Sequence, residues 1–189
     1  MDKNFYITTP IYYPSAKPHM GHAYSSIIAD FFARFKFMDN YDVHFLTGTD
    51  EHGLKIQRSA EKAGLDTQNF CDQISQTFRD LSKILNLSNT DFIRTTEERH
   101  KKTVQYLWNE LEKNGDIYLS NYSGWYSVSD EAFYNDDEIK EVEGKKIAII
   151  SKSSVEWIEE ESYFFRLSKW ETPLLDFYET NPEFISPKS

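Results

Sequence analysis

Pro10-Ile11-Tyr12-Tyr13-Pro14-Ser15-Ala16-Lys17-Pro18-His19-Met20-Gly21-His22 leads into a stretch whose apolar residues recur at helical spacing, and its reading decides the fold. It places two imidazoles three residues apart where a strand gives way to a helix. A helix start leaves backbone N–H groups unpaired and carries partial positive charge, so it favours anions such as phosphate. His19 and His22 share one face of the first turn. Gly21 has no side chain, so a flat ligand can approach the backbone there. The arrangement predicts a triphosphate cradle. Taken alone, two surface histidines that happen to open a helix would look the same.

A second element favours the cradle. Tyr41 to Gly53 reads Tyr-Asp-Val-His-Phe-Leu-Thr-Gly-Thr-Asp-Glu-His-Gly. Val43, Phe45 and Leu46 make the short apolar run of a buried parallel strand. The run ends in Thr47-Gly48-Thr49-Asp50, and open α/β sheets bind ligands outside the carboxyl ends of their strands. A carboxylate at Asp50 can pair with a substrate ammonium. Asp50-Glu51 would equally suit the acidic start of a helix.

The rest of the first 115 residues fits half of a doubly wound sheet. Phe5-Tyr6-Ile7 reads as a first strand, and Pro18 suits the opening position of a helix. Ala23, Ile27, Phe31, Phe35 and Met38 form a stripe at helical spacing, expected to pack into the core. Leu54 to Ala63 reads as a helix stopped by Gly64. Phe70, Ile74, Phe78, Leu81 and Leu85 describe a longer helix from near Thr67. Thr95-Thr96-Glu97-Glu98 fits a capping box ahead of Val104, Leu107, Trp108 and Leu111, with Asn114-Gly115 closing that helix. From Asp116 the texture changes. Ile117-Tyr118-Leu119, Gly124 to Val128 and Lys146 to Ile150 read as short strands, with Val155 to Ile158 and Tyr163 to Arg166 as further candidates. A last helix carries Trp170, Leu174 and Phe177. The acidic runs Asp136-Asp137-Glu138 and Glu159-Glu160-Glu161 read as solvated loop or edge charges.

Composition sets limits. With 189 residues, 39% of them hydrophobic and 16% aromatic, the chain can bury one sizeable core and a small appendage. No run approaches the roughly 18 apolar residues of a membrane span. Met1-Asp2-Lys3-Asn4 does not begin a secretory signal, so a cytoplasmic location is expected. A net charge of −10 has the wrong sign for a general grip on nucleic acid, and little such affinity is expected. Cys71, the single cysteine, cannot form an internal disulfide and reads as a buried or half-buried thiol.

Several tracts together resemble the bacterial methionyl-tRNA synthetase family of class I aminoacyl-tRNA synthetases. They are Thr8-Thr9-Pro10-Ile11-Tyr12-Tyr13, His19-Met20-Gly21-His22, Phe45 to Gly53, Asp91-Phe92-Ile93-Arg94-Thr95-Thr96-Glu97-Glu98-Arg99-His100 and Tyr163-Phe164-Phe165-Arg166-Leu167. The resemblance implies an α/β fold: residues 1–115 as the N-terminal half of a Rossmann-like parallel sheet with helices, and 116–189 as a β-containing connective-peptide insertion. It implies ATP-dependent activation of methionine and transfer to tRNA(Met), with magnesium accompanying ATP. His19 and His22 would be the catalytic contacts to phosphate, Gly21 would lie against adenine, and Asp50 would hold the methionine ammonium with the Tyr13 hydroxyl. Pro10, Ile11 and the Tyr13 ring would line the thioether pocket.

Two departures from the family stand out. Many relatives carry a zinc knuckle that begins with two cysteines after this Trp-Tyr segment, where Ser127 and Asp130 stand here. One carboxylate and one hydroxyl cannot close a structural zinc site, so a zinc-less form with no metal ligands is expected. No Lys-Met-Ser-Lys tract and no anticodon-binding helical domain occur in the sequence, so the expectation is an N-terminal segment that is inactive by itself. Another class I nucleotidyl transferase would share the His-x-Gly-His, and a non-catalytic remnant or binding module would keep the fold without the chemistry.

Overall fold

The computed structural model describes residues 3–142 and 144–186. The chain packs as two compact units that divide between Thr103 and Val104.

In the first unit, β1 (Asn4–Thr8), β2 (Asp42–Thr49) and β3 (Asp91–Arg94) form a parallel sheet in the order β1-β2-β3. The register pairs Phe5 with Val43, and Gly48 with Ile93. The central strand is thus β2, and its end carries Thr47, Gly48 and Thr49 into full burial. Helix α1 (Met20–Met38) connects β1 to β2, while α2 (Leu54–Ala63) and α3 (Thr67–Ile84) connect β2 to β3. Gly64 closes α2 in the left-handed conformation (φ +69°), as its sequence position predicts. Phe45 is fully buried and meets Ala29 and Ala33 of α1, with Ile7 and Val43 alongside. Phe70 and Cys71 of α3 pack on Ile56 and Ala60 of α2, and Phe78 packs with Tyr12 and Phe92.

Three local expectations are corrected. The stripe Ala23, Ile27, Phe31, Phe35, Met38 is not what α1 buries: Ser26, Ala29 and Ala33 face the sheet, and Phe31 is 65% exposed. Small side chains let the helix lie close on the Phe45 strand, which leaves the bulky face outward. Pro18 is not the first helical residue, because His19 caps the helix and α1 starts at Met20. Thr95 and Thr96 do not form the capping box of α4 (Glu98–Lys113), because their hydroxyls are engaged with Glu51.

The second unit is built on an antiparallel sheet. Ile117–Ser127 is one long strand, β4, where the sequence suggests two short ones. It lies between β5 (Ala132–Tyr134) and β8 (Glu156–Phe165). Its pairing with β8 runs from Ile117↔Phe165 to Tyr126↔Glu156. Glu159, Glu160 and Glu161 therefore sit in an edge strand, exposed. A hairpin of β6 (Ile139–Val142) and β7 (Lys145–Ala148) follows a short 3₁₀ turn at Asp136–Glu138. Helix α5 spans Leu167–Thr180. Behind its first turn, the buried Asp116 carboxylate accepts from Lys169 Nζ (2.6 Å) and Trp170 Nε1 (3.2 Å).

Candidate active site

The start of α1 is closed by its own two histidines. His19 Nδ1 accepts the Gly21 backbone N–H (3.1 Å), and His22 Nδ1 accepts the His19 backbone N–H (3.0 Å). With Nδ1 accepting in both rings, the neutral tautomer carries its proton on Nε2, so each ring keeps one N–H donor for a ligand. The rings lie against each other with centroids 3.9 Å apart. Burial, and then the neighbouring His19, lowers the pKa of His22, which favours that neutral donor form. A Cβ on Gly21 would come within 2.9 Å of His19 Cε1. Gly21 is therefore needed first by the cap itself.

Tyr12, which sequence reasoning quoted but gave no role, joins the helix start to the strand end. It is buried, its ring stacks on Phe78 (5.4 Å) and meets the edge of His22 (4.8 Å). Its hydroxyl bonds Ser26 Oγ at 2.6 Å. Its backbone continues the sheet beyond β1: Tyr12 N donates to Gly48 O (2.8 Å), and Asp50 N donates to Tyr12 O (2.9 Å). Only the tyrosine-rich context hinted at this, since the partners come from three separate elements.

Asp50 is half-buried just past the carboxyl end of β2, where a ligand is expected. Among the described residues its carboxylate meets no hydrogen-bond donor or cation. Its neighbour Glu51 is the opposite case. The Glu51 side chain is fully buried and clasped by Arg94, Nε to Oε1 at 2.6 Å and Nη2 to Oε2 at 2.9 Å. The hydroxyls of Thr49 (2.7 Å) and Thr96 (2.6 Å) donate to the two carboxylate oxygens. The Glu51 amide donates to Thr95 Oγ1 at 2.8 Å. Burial alone would raise the Glu51 pKa, but the bonds from Arg94, Thr96 and Thr49 outweigh it and hold it below the usual carboxylate value. Of the acidic pair, Glu51 is consumed by the fold, while Asp50 has no such partners among the described residues.

The other expected site residues are placed less closely. Pro10 and Ile11 are exposed, joined to Asp50 through the Tyr12 backbone. Tyr13 is half-buried against the cluster of Ile56 and Phe70, with Lys55 Nζ 5.7 Å from its ring. In the second unit, Ser127 and Asp130 are engaged with their own neighbours. Asp130 Oδ2 accepts from Tyr134 (2.8 Å), Ser151 (2.6 Å) and Ser153, and Ser127 is fully buried. Among the described residues no three His, Cys, Asp or Glu side chains converge. Nor is any described helix long and apolar enough to cross a membrane.

A parallel sheet whose central strand ends beside a helix opened by two histidines has the arrangement of half a nucleotide-binding α/β fold. The chain matches the family described as tRNA synthetases class I (M) over residues 5–145 and belongs to it. It is 52% identical over 189 residues to the methionine–tRNA ligase of Rickettsia bellii, covering all of this chain and 36% of that protein. The Listeria monocytogenes methionine–tRNA ligase is 51% identical over 195 residues, with 29% of its length covered. Among solved structures, Mycobacterium tuberculosis methionyl-tRNA synthetase in complex with methionyl-adenylate superposes with a TM-score of 0.92 at 48% identity, over 98% of this chain and 36% of that one. The chain thus spans about a third of the length of these relatives.

Proposed function

We propose that this chain supplies the methionine- and ATP-contacting segment of a methionine–tRNA ligase acting in the cytoplasm. In that reaction a methionine carboxylate oxygen attacks the α-phosphorus of ATP, and pyrophosphate leaves with the electrons of the broken P–O bond. The methionyl group of the resulting adenylate then passes to the 3′ end of tRNA(Met), releasing AMP. His19 and His22 direct their Nε2–H donors at the phosphates, where charge builds in the in-line displacement, and no side-chain nucleophile is required. Gly21 leaves room for adenine beside the first turn. Asp50 holds the methionine ammonium with the Tyr13 hydroxyl, and Pro10, Ile11 and the Tyr13 ring enclose the thioether, a favourable sulfur–aromatic setting. Magnesium accompanies ATP and needs no cage of protein ligands.

The observation that carries this reading is the contrast between Asp50 and Glu51. Adjacent carboxylates at one strand end would repel, yet Glu51 is fully partnered while Asp50 keeps a fixed backbone and an open carboxylate. Asp50→Asn tests it. The variant should fold as before and bind methionine roughly tenfold to a hundredfold more weakly, the worth of a charge-assisted hydrogen bond. Unchanged methionine affinity by calorimetric titration would reduce Asp50 to a helix-opening charge.

A further inference from the structure

Arg94 ends β3, directly opposite Thr49 in the parallel register. Besides its two bonds to Glu51, its Nη2 reaches Asp72 Oδ1 on α3 at 2.5 Å. The guanidinium therefore ties α3 and β3 to the residue that follows Asp50. Without Arg94 the buried Glu51 charge would keep only the neutral Thr49 and Thr96 hydroxyls as donors and no cation. A buried carboxylate left without its counter-charge is costly, so it moves or takes up a proton. Glu51 would be driven out toward water, and the Asp50–Glu51 backbone would go with it. The amides of the two residues show how tightly that backbone is held, Asp50 by Tyr12 O on one side and Glu51 by Thr95 Oγ1 on the other.

We propose that Arg94 is a positioning residue for the amino-acid ammonium site: by clasping Glu51 it removes the competing carboxylate and presets Asp50 to receive the ammonium. The proposal rests on the assignment of Asp50 above. Preorganisation of this kind lowers the cost of ordering the acceptor at the moment of binding. Bidentate geometry is essential to it. A lysine at the same place keeps the charge but cannot grip both oxygens.

The test compares L-methionine with its des-amino analogue, 4-(methylthio)butanoate, by titration against wild type, Arg94→Lys, Arg94→Gln and Glu51→Gln/Arg94→Gln. Wild type should prefer methionine. Arg94→Gln should weaken methionine about tenfold or more while changing the analogue less than about twofold, because only the ammonium contact is lost. Arg94→Lys should recover part of the loss. The double variant should be no worse than Arg94→Gln, since the two residues act as one unit. Amide exchange at Asp50 and Glu51, read without ligand in the folded Arg94→Lys protein, should be faster than in wild type. Equal weakening of both ligands, or unchanged amide protection, would make Arg94 a merely structural residue and overturn the proposal. A wild-type chain that bound both ligands alike, or neither, would instead overturn the ammonium site itself, and this role with it.

Discussion

Gly48→Ala should be the most damaging single-methyl change in the parallel sheet. Gly48 pairs with Ile93 across β2 and β3. A Cβ there would lie 2.7 Å from Ile93 Cγ2 and 2.9 Å from the Ile93 carbonyl carbon, with the carbonyl oxygen closer still. Carbon pairs rest at about 3.5–4.0 Å, so the strands must part by about 1 Å from their usual spacing of roughly 4.8 Å. The obstacle is mostly backbone and cannot rotate away. Overpacking costs about 1–3 kcal/mol, and each ladder hydrogen bond lost adds about 0.5–1.5 kcal/mol. With two such bonds broken the total is roughly 2–6 kcal/mol, a large part of the ~5–15 kcal/mol that holds a domain. Denaturant melts followed by circular dichroism should show this loss. Gly21→Ala is the control, because its Cβ would meet only the His19 ring at 2.9 and 3.2 Å, and a ring can turn. That variant should lose no more than the cap, about 0.5–2 kcal/mol. If Gly48→Ala unfolds within about 1 kcal/mol of wild type, the close approach of β2 and β3 does not constrain this position.

Tyr12→Phe removes a buried hydroxyl bonded to Ser26 Oγ at 2.6 Å and should cost about 1–2 kcal/mol; equal stability in the same melts would refute its linking role. The purified protein should contain no stoichiometric zinc by elemental analysis, and chelators should leave its melting temperature unchanged. About one tightly held zinc per chain would demand ligands other than Ser127 and Asp130. The hydroxyls of Ser151, Ser153 and Tyr134 hold Asp130 at about 2, below its ordinary 3.8. A carboxyl depressed in the folded state stabilises fully above its unfolded value and loses that contribution as pH falls through the folded one. The Ser151 and Ser153 amide signals should therefore hold steady above pH 3.8 and shift as pH drops toward 2; a shift centred near neutral pH would contradict the assignment.

Much of this chain was legible because its chemistry is local. The left-handed close of α2 at Gly64, the extent of α3 and the placing of His19 and His22 at the start of one helix all involve residues within one or two turns. The apolar run Val43-Phe45-Leu46 specified a buried strand ending at Asp50, because a strand covered on both faces can hardly be anything else. Tertiary structure decided the rest. Which face of α1 is buried depended on Phe45 needing small neighbours, so the aromatic stripe that periodicity favours lies outside the core of its unit. Thr95 and Thr96 match a helix cap in sequence, yet both hydroxyls serve Glu51 instead: Thr95 Oγ1 accepts its amide and Thr96 donates to its buried carboxylate. Glu51 and Arg94 stand 43 residues apart, and no periodicity links them. Only the parallel pairing of β3 beside β2 brings the guanidinium to the carboxylate, and with it the difference between the acid that holds the fold and the acid left free.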